Sequence, residues 1–386
     1  MKNKNIYPIA IPNISGLEKK YLNECVDTEF VSSVGPFVEK FEKKLTECSN
    51  FKYASAVSSG TCALSLAQHV LGVTHNDLVI IPDYTFIATA NSVAHNQAKT
   101  WLIDINKDNL NIDFSMVIHE IHKNCKYKNR KWIHKKTKQE LKCIIPVMAL
   151  GNFIAKKDID AFNDSTGIPI IIDAAGALGS SNEKESLGKL DVLATTISFN
   201  GNKTFTSGGG GAVLTNNLKF HKKIKHLSTT ARSGFEYIHD QPAFNYRMTN
   251  VQAAIGCAQL ERFNEFINTK QKIHRFYKEN ISSSKISFLQ DCSSSHWLSF
   301  FLGNDLTKSQ IKELYSYAND KGILLRPFWV PMHKQPSYKN SIKSSLRTSK
   351  NIYSKVITLP SSTSLKKNDL NYIVDVINSY LDSIDG

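Results

Sequence analysis

Between residues 54 and 215 short apolar runs alternate with stretches of helical pattern. The runs fall at 54–57, 79–81, 100–104, 143–147, 170–173 and 195–199. Runs of this length and apolar content mark strands covered on both faces, and helices between them imply crossover connections and a mostly parallel α/β sheet. Ligands in such sheets collect beyond the carboxyl ends of the strands, so the residues that follow each run carry the functional reading. After Met248, apolar residues at Val251, Ala254, Ile255 and Ala258 share one helical face, with Thr249 placed as the cap. Helical patterns at 309–322 and 368–384 then belong to a smaller α/β unit. The expected division is a large domain over 14–258 with an insertion at 119–142, and a small C-terminal domain over 259–386 joined by the N-terminal segment 1–13.

A length of 386 residues agrees with two domains sharing an interface. Hydrophobic content of 41% and charged content of 21% are those of a soluble globular chain. The longest apolar runs, such as 168–172, are too short to span a bilayer. The basic start Met1-Lys2-Asn3-Lys4-Asn5 has no apolar stretch after it, so no secretory signal is expected and the compartment is read as cytoplasmic. Seven cysteines, Cys292 among them, are scattered without a C-x-x-C pair; they are read as reduced thiols, with no disulfide framework and no metal site. Serine triplets at 282–284 and 293–295 are loop signals.

The net charge of +14 calls for an anionic partner, and its location narrows the choice. Residues 119–142 hold nine Lys or Arg against two Glu. One tyrosine and one tryptophan make a thin stacking platform there, so a solvated surface hairpin is expected in place of a nucleic-acid-binding element. Neither nucleic acid nor membrane is expected as a partner.

Three segments carry chemistry. Ser58-Ser59-Gly60-Thr61-Cys62-Ala63 follows a strand and opens a helix, a geometry that points backbone N–H groups and a positive dipole end at an anion such as phosphate; the same turn also serves as an ordinary cap. Asp173 ends a strand and precedes Ala174-Ala175-Gly176, small residues that let a flat ring approach a carboxylate suited to a pyridinium nitrogen; the alternative is an Asp that caps the next helix. Lys203 lies between the strand ending Ser198-Phe199-Asn200 and the run Gly208-Gly209-Gly210-Gly211. A lone amine near backbone donors is a candidate for Schiff-base chemistry, and the glycines allow close approach of backbone or ligand. A floppy loop or a dinucleotide-type turn competes with that reading, but G-x-G-x-x-G after a first strand is absent.

These segments, with Asp83-Tyr84-Thr85-Phe86-Ile87-Ala88-Thr89-Ala90-Asn91, Asp104-Ile105 before Leu110-Asn111-Ile112-Asp113, and Asn245-Tyr246-Arg247-Met248, stand in the order found in DegT/DnrJ/StrS-type sugar aminotransferases. The resemblance runs from about residue 12 to 335. Ile11-Pro12-Asn13-Ile14-Ser15-Gly16, Val31-Ser32-Ser33-Val34-Gly35, the basic insertion, and Arg326-Pro327-Phe328-Trp329 with Met332-His333-Lys334 are most similar to the LegC-type branch. That branch aminates nucleotide-linked 4-keto-6-deoxy sugars for surface glycans of the nonulosonic (legionaminic) acid or O-antigen type.

The resemblance implies the fold type I of pyridoxal-phosphate-dependent transferases and pyridoxal 5'-phosphate as cofactor. Lys203 would hold the cofactor and move the proton, Asp173 would bind the ring nitrogen, and Phe86 would stack on the ring. Gly60, Thr61, Cys62 and Ser198 would bind the phosphate, the backbone of 61 and 62 most of all. Asn245 and Arg247 would reach the phosphate region of a neighbouring subunit, which implies a homodimer with shared sites. Asn200, Arg326, Trp329 and His333 would meet the substrate. Each has a plainer reading: Phe86 as core, Ser198 as a strand end, Arg247 in a surface ion pair, His333 and Trp329 as core or loop. The implied reaction takes an amine from an amino acid, L-glutamate by expectation, and the basic excess of the insertion or of Arg326 would attract the anionic substrate.

Two departures from the family pattern stand out. Gly176 replaces a polar side chain three residues after Asp173, and Met148-Ala149 replace a histidine after Val147. The alternatives left open are a deoxysugar dehydratase on the same scaffold, which Lys203 argues against, and a non-catalytic regulatory or nucleic-acid-binding protein with a relic site.

Overall fold

The computed structural model describes residues 5–181, 185–289 and 294–385; the basic start at 1–4, Cys292 and Ser293 lie outside the described residues. Each apolar run of the first half forms a strand: β1 Tyr53–Val57, β2 Asp77–Pro82, β3 Lys99–Ile103, then β4 Cys125–Lys128, β5 Lys131–His134, β6 Glu140–Ile144, β7 Ile171–Asp173, β8 Ala194–Ser198 and β9 Gly211–Thr215. The helices are α1 Glu18–Asp27, α2 Pro36–Ser49, α3 Gly60–Leu71, α4 Ile87–His95, α5 Phe114–Asn124, α6 Lys156–Thr166, α7 Leu218–Ser228, α8 Asn250–Glu261, α9 Phe263–Asn280, α10 Lys308–Asp320, α11 Arg347–Ile352 and α12 Lys367–Asp385. Short strands β10 Arg232–Ser233, β11 Ile238–His239, β12 Phe300–Leu302, β13 Ile342–Lys343 and β14 Val356–Thr358 complete the set.

The central sheet is mostly parallel, as the runs imply. β13, β3, β2 and β6 pair in parallel, as do β7 and β8. Parallel bridges Ile144 to Ile170 and Val147 to Asp173 join the two sets. The exceptions lie toward the two edges: β9 runs antiparallel to both β8 and β1, because the glycine run after Lys203 turns the chain back beside β8, and at the far edge β5 runs antiparallel to β6 and β4.

Alternation along the strands feeds two cores. Leu78, Ile80, Trp101, Ile103 and Ile172 pack toward α2, α5, α6 and α8, while Val79, Ile81, Leu102 and Ile171 pack toward α3, α4 and α7. A third core gathers Tyr7 and Ile9 with residues of α9, α10, α12, β12 and β14, and Tyr84, Ile105 and Leu150 pack into it from the sheet side.

Thr249 caps α8 through a full capping box with Gln252. The buried face differs from the expected one: Val251 and Ile255 are half-buried, whereas Ala253, Gly256, Cys257 and Gln259 are fully enclosed. The cause is close approach of α2, since a Cβ on Gly256 would stand 2.5 Å from Phe41. Helix α8 is therefore buried on the side of its small residues, against α1 and α2, and leaves Val251 and Ile255 on its partly open side.

The basic segment divides into the end of α5, the hairpin β4–β5 and the start of β6. Trp132 anchors it to the end of α6, donating to the Thr166 carbonyl at 2.9 Å, and lies against Tyr127 and His122. The hairpin meets β6 at Glu140, its amino end. Among the described residues no helix is long and apolar enough to cross a membrane, no cluster of three metal-ligating side chains occurs, and the six described cysteines are free thiols.

Candidate active site

A cavity of about 570 Å³ opens beyond the carboxyl ends of the central strands. Its floor is built from three strand ends. Asp173 closes β7, Ser198 closes β8, and Val147-Met148 follow β6. Its walls come from the start of α3, from Phe86 at the cap of α4, and from Trp297 and residues 326–330 of the C-terminal half.

The α3 wall depends on glycine for closeness. Ser59 caps the helix by accepting from the Cys62 N–H at 3.1 Å. A Cβ on Gly60 would stand 2.8 Å from the Cβ of Ser198, and one on Gly211 would stand 2.6 Å from the Gly60 nitrogen. The first helical turn, with its N–H groups and positive dipole end, is thus brought against the end of β8, a cradle for a dianion.

Asp173 is almost wholly buried and holds two protein donors: Thr89 Oγ1 at 2.7 Å from Oδ2, and the Ala175 N–H at 3.1 Å from Oδ1. Thr89 is in turn bonded to Thr85 at 2.8 Å. Burial pushes the Asp173 carboxyl above its usual range, opposed by the Thr89 and Ala175 hydrogen bonds and by the Lys203 charge. Lys203 sits in a turn whose N–H donates to the Asn200 carbonyl at 3.0 Å. Its side chain keeps some accessible surface because the cavity opens onto it, yet the amine lies deep in the protein. Burial lowers that amine to about 8, with Asp173 acting in the opposite sense. Such an amine is partly neutral and nucleophilic near pH 7.

Gly60, Thr61, Phe86, Asp173, Ser198 and Lys203 line one cavity, and so do Asn200, Arg326 and Trp329. Phe86 is 55% exposed, so it is not core. The residues beside this cavity fit pyridoxal phosphate by their chemistry: a buried carboxylate with an open side, an amine, an aromatic wall and a helix start held close by glycine.

Four expected residues do not line the cavity. The Cys62 N–H is taken by the Ser59 cap, so the anion-facing turn centres on Gly60 and Thr61. His333 is turned to Asp83: its backbone N–H donates to Oδ1 at 2.8 Å and its Nδ1 lies 2.6 Å from Oδ2, which ties the ring to that carboxylate. Asn245 and Arg247 are bridged to Thr229 and to Val57 at the end of β1, respectively, and do not line the cavity. The Nε of Arg247 is buried with no hydrogen-bond partner among the described residues. The hairpin at the amino end of β6 lies on the side of the sheet opposite Val147, roughly 20 Å along the strand direction. Its positive charge is therefore not part of the cavity wall, and Arg326 is.

Three contributors escaped the sequence reading. Thr89, with its hydroxyl relay to Thr85, and Phe328 both lie inside segments that carry the resemblance but have no signal of their own. Phe328 lies against Trp329 with the rings tilted by 32° and their centroids 4.6 Å apart. Trp297 fills the space that the missing side chain at Gly176 leaves; the departure at 176 was the one available hint.

Comparison with known proteins places this geometry in context. The sequence pattern of the DegT/DnrJ/EryC1/StrS aminotransferase family matches residues 12–378. The chain is 33% identical over 378 residues to the GDP-perosamine synthase of Escherichia coli O157:H7, covering 97% of this chain and 98% of that protein. It is 29% identical to a dTDP-4-amino-4,6-dideoxy-D-glucose transaminase of Shigella dysenteriae, covering 96% and 97%. In fold it is similar to the Helicobacter pylori aminotransferase of pseudoaminic acid biosynthesis, with a TM-score of 0.87, 22% identity and coverage of 98% and 100%.

Proposed function

The chain belongs to the DegT/DnrJ/EryC1/StrS aminotransferase family, and from that premise we propose that it transfers an amino group from L-glutamate to a nucleotide-linked 4-keto-6-deoxy sugar, with pyridoxal 5'-phosphate as cofactor. The observation that carries this reading is the pairing in one cavity of a buried carboxylate, Asp173, with a buried amine lowered to about 8, Lys203. When bound, the cofactor supplies an aldehyde for an amine and a ring that withdraws electrons from the reacting carbon.

The chain's own residues supply the rest. The Asp173 carboxylate accepts a hydrogen bond from a protonated ring nitrogen and keeps it charged, while Thr89 and the Ala175 N–H hold that carboxylate in place. Gly60, Thr61 and Ser198 bind the phosphate. Phe86 covers one ring face and keeps water off it. The Lys203 amine takes a proton from the donor's carbon and later returns one to the sugar carbon. Arg326, Asn200 and Trp329 meet the nucleotide sugar, Arg326 as the cation for its diphosphate.

A 4-keto-6-deoxyhexose is the acceptor favoured by the names of the relatives, one of which makes a 4-amino-4,6-dideoxy sugar. The product would serve a surface glycan of nonulosonic acid or O-antigen type, made in the cytoplasm. We read the active unit as a homodimer. Arg247, with its unpartnered buried Nε, and the exposed Phe235 and Tyr237 at 93% and 71% are what a second subunit would complete.

The test is incubation of the protein, cofactor and L-glutamate with GDP-, dTDP- and UDP-linked 4-keto-6-deoxyhexoses, with mass detection of the amine. One of the three is expected to convert. No conversion of any, with the cofactor bound, removes the substrate assignment.

A further inference from the structure

We propose that Trp297 is a positioning residue for Lys203: it occupies the volume left open at Gly176 and presents its indole face to the lysine amine, holding that amine at the cavity wall. The proposal rests on the reading of Lys203 as the cofactor-linking amine. Three contacts carry it. The Lys203 Nζ lies 3.6 Å from the centroid of the Trp297 ring, within the range of a cation–π contact. A Cβ added to Gly176 would stand 2.4 Å from Trp297 Cε3 and 2.8 Å from Cδ2, so the ring and a side chain at 176 exclude each other. The indole Nε1 donates to the Asn202 carbonyl at 2.6 Å, which ties the ring to the turn that bears Lys203.

The ring is fixed from behind as well. Its backbone carbonyl accepts from the buried Lys270 Nζ at 2.8 Å, and the same amine donates to the Ser361 carbonyl at 2.7 Å. The tryptophan is thus pinned by α9, by the loop after β14 and by the Lys203 turn, and only 4% of it is exposed. A ring held this way cannot swing aside for a larger residue at 176. It also shields the amine from water on that side while its π face stabilises positive charge. The charged groups lining the cavity beside Lys203 are Asp173 and Arg326, and neither is the source of this contact.

The experiment follows capture of pyridoxal phosphate by the cofactor-free full chain, read as growth of the bound-cofactor absorption band between pH 6 and 10. The capture rate rises with the fraction of neutral Lys203, so its midpoint reports the amine. Trp297→Phe keeps an aromatic face and is expected within about 0.3 pH units of the parent protein. Trp297→Leu keeps the shielding and loses the face, and its midpoint is expected about half a unit to one unit lower. A Trp297→Leu midpoint equal to the parent's, or one matched by Trp297→Phe, overturns the proposal.

A second arm needs no cofactor. Gly176→Ala is expected to lower the melting temperature by a few degrees in the parent and by less than half as much in the Trp297→Ala background. Equal losses in both backgrounds overturn the steric part. Lys203→Arg separates the two levels: a band that persists in that variant refutes the cofactor reading itself, whereas its loss beside an unchanged Trp297→Leu midpoint refutes only the role of Trp297.

Discussion

Asp83 and Asp173 look alike in the sequence, each an aspartate after a strand-forming apolar run, and both are buried at the carboxyl end of a parallel strand. Their surroundings differ. Asp83 accepts from the His333 N–H, contacts His333 Nδ1 at 2.6 Å and accepts from Ser349 Oγ at 2.7 Å. Its neighbour Asp104 accepts from the N–H groups of Ile105, Thr348 and Ser349. Together they stitch residues 333–349 to the sheet and have little capacity left for a ligand. Asp173 has two donors from the protein and faces the cavity and Lys203. A carboxylate can accept about four hydrogen bonds, so what separates a structural from a chemical aspartate is how many the fold has already filled.

The largest effect expected from this contrast is at the open pair. Lys203→Ala should lower turnover by about 10³-fold or more, and Asp173→Asn by about 10²–10³-fold, with circular dichroism unchanged. Steady-state rates on the converting sugar check this, and wild-type rates in either variant would erase the distinction. Asp83→Ala should do the reverse. Stranding His333 and Ser349 is expected to cost about 3 kcal/mol in denaturant unfolding while the cofactor band still forms.

A pH series sharpens the role of the amine. The Lys203 amine is lowered to about 8, so below that pH it is mostly protonated and cofactor capture should rise about tenfold per unit; above it the rate should level. A plateau reached only near the ordinary lysine value of 10.5 would mean the amine is solvated. Arg326→Ala should lower kcat/KM for the nucleotide sugar about tenfold and weaken its dependence on salt. The smallest effect is expected at the hairpin. Lys126→Ser with Lys128→Ser should change kcat/KM less than about twofold, since those charges sit at the far end of the sheet; a larger loss would give the insertion a part in substrate capture.

Much of the frame was legible. The six apolar runs became strands, 309–322 and 368–384 became α10 and α12, and Thr249 capped its helix. Local patterns suffice there because burial on both faces and capping leave their mark within a few residues. The antiparallel β9 was not singled out, because its direction depends on how the glycine run turns and not on its own composition. Periodicity places residues 251 and 255 on the buried face, but which side of α8 is covered is set by α1 and α2, which are distant in sequence. The placement of His333 failed for the same reason, since its partner Asp83 lies 250 positions away.

From the order of residues alone came the alternation that makes a parallel sheet, the glycines that let α3 approach β8, and the identity of an amine and a carboxylate able to serve a pyridine ring. These are properties of short segments and of the groups themselves. Which aspartate stays open, what fills the gap at Gly176, and how far the amine is shielded were settled only in three dimensions, because burial and hydrogen-bond capacity are shared among side chains from both halves of the chain.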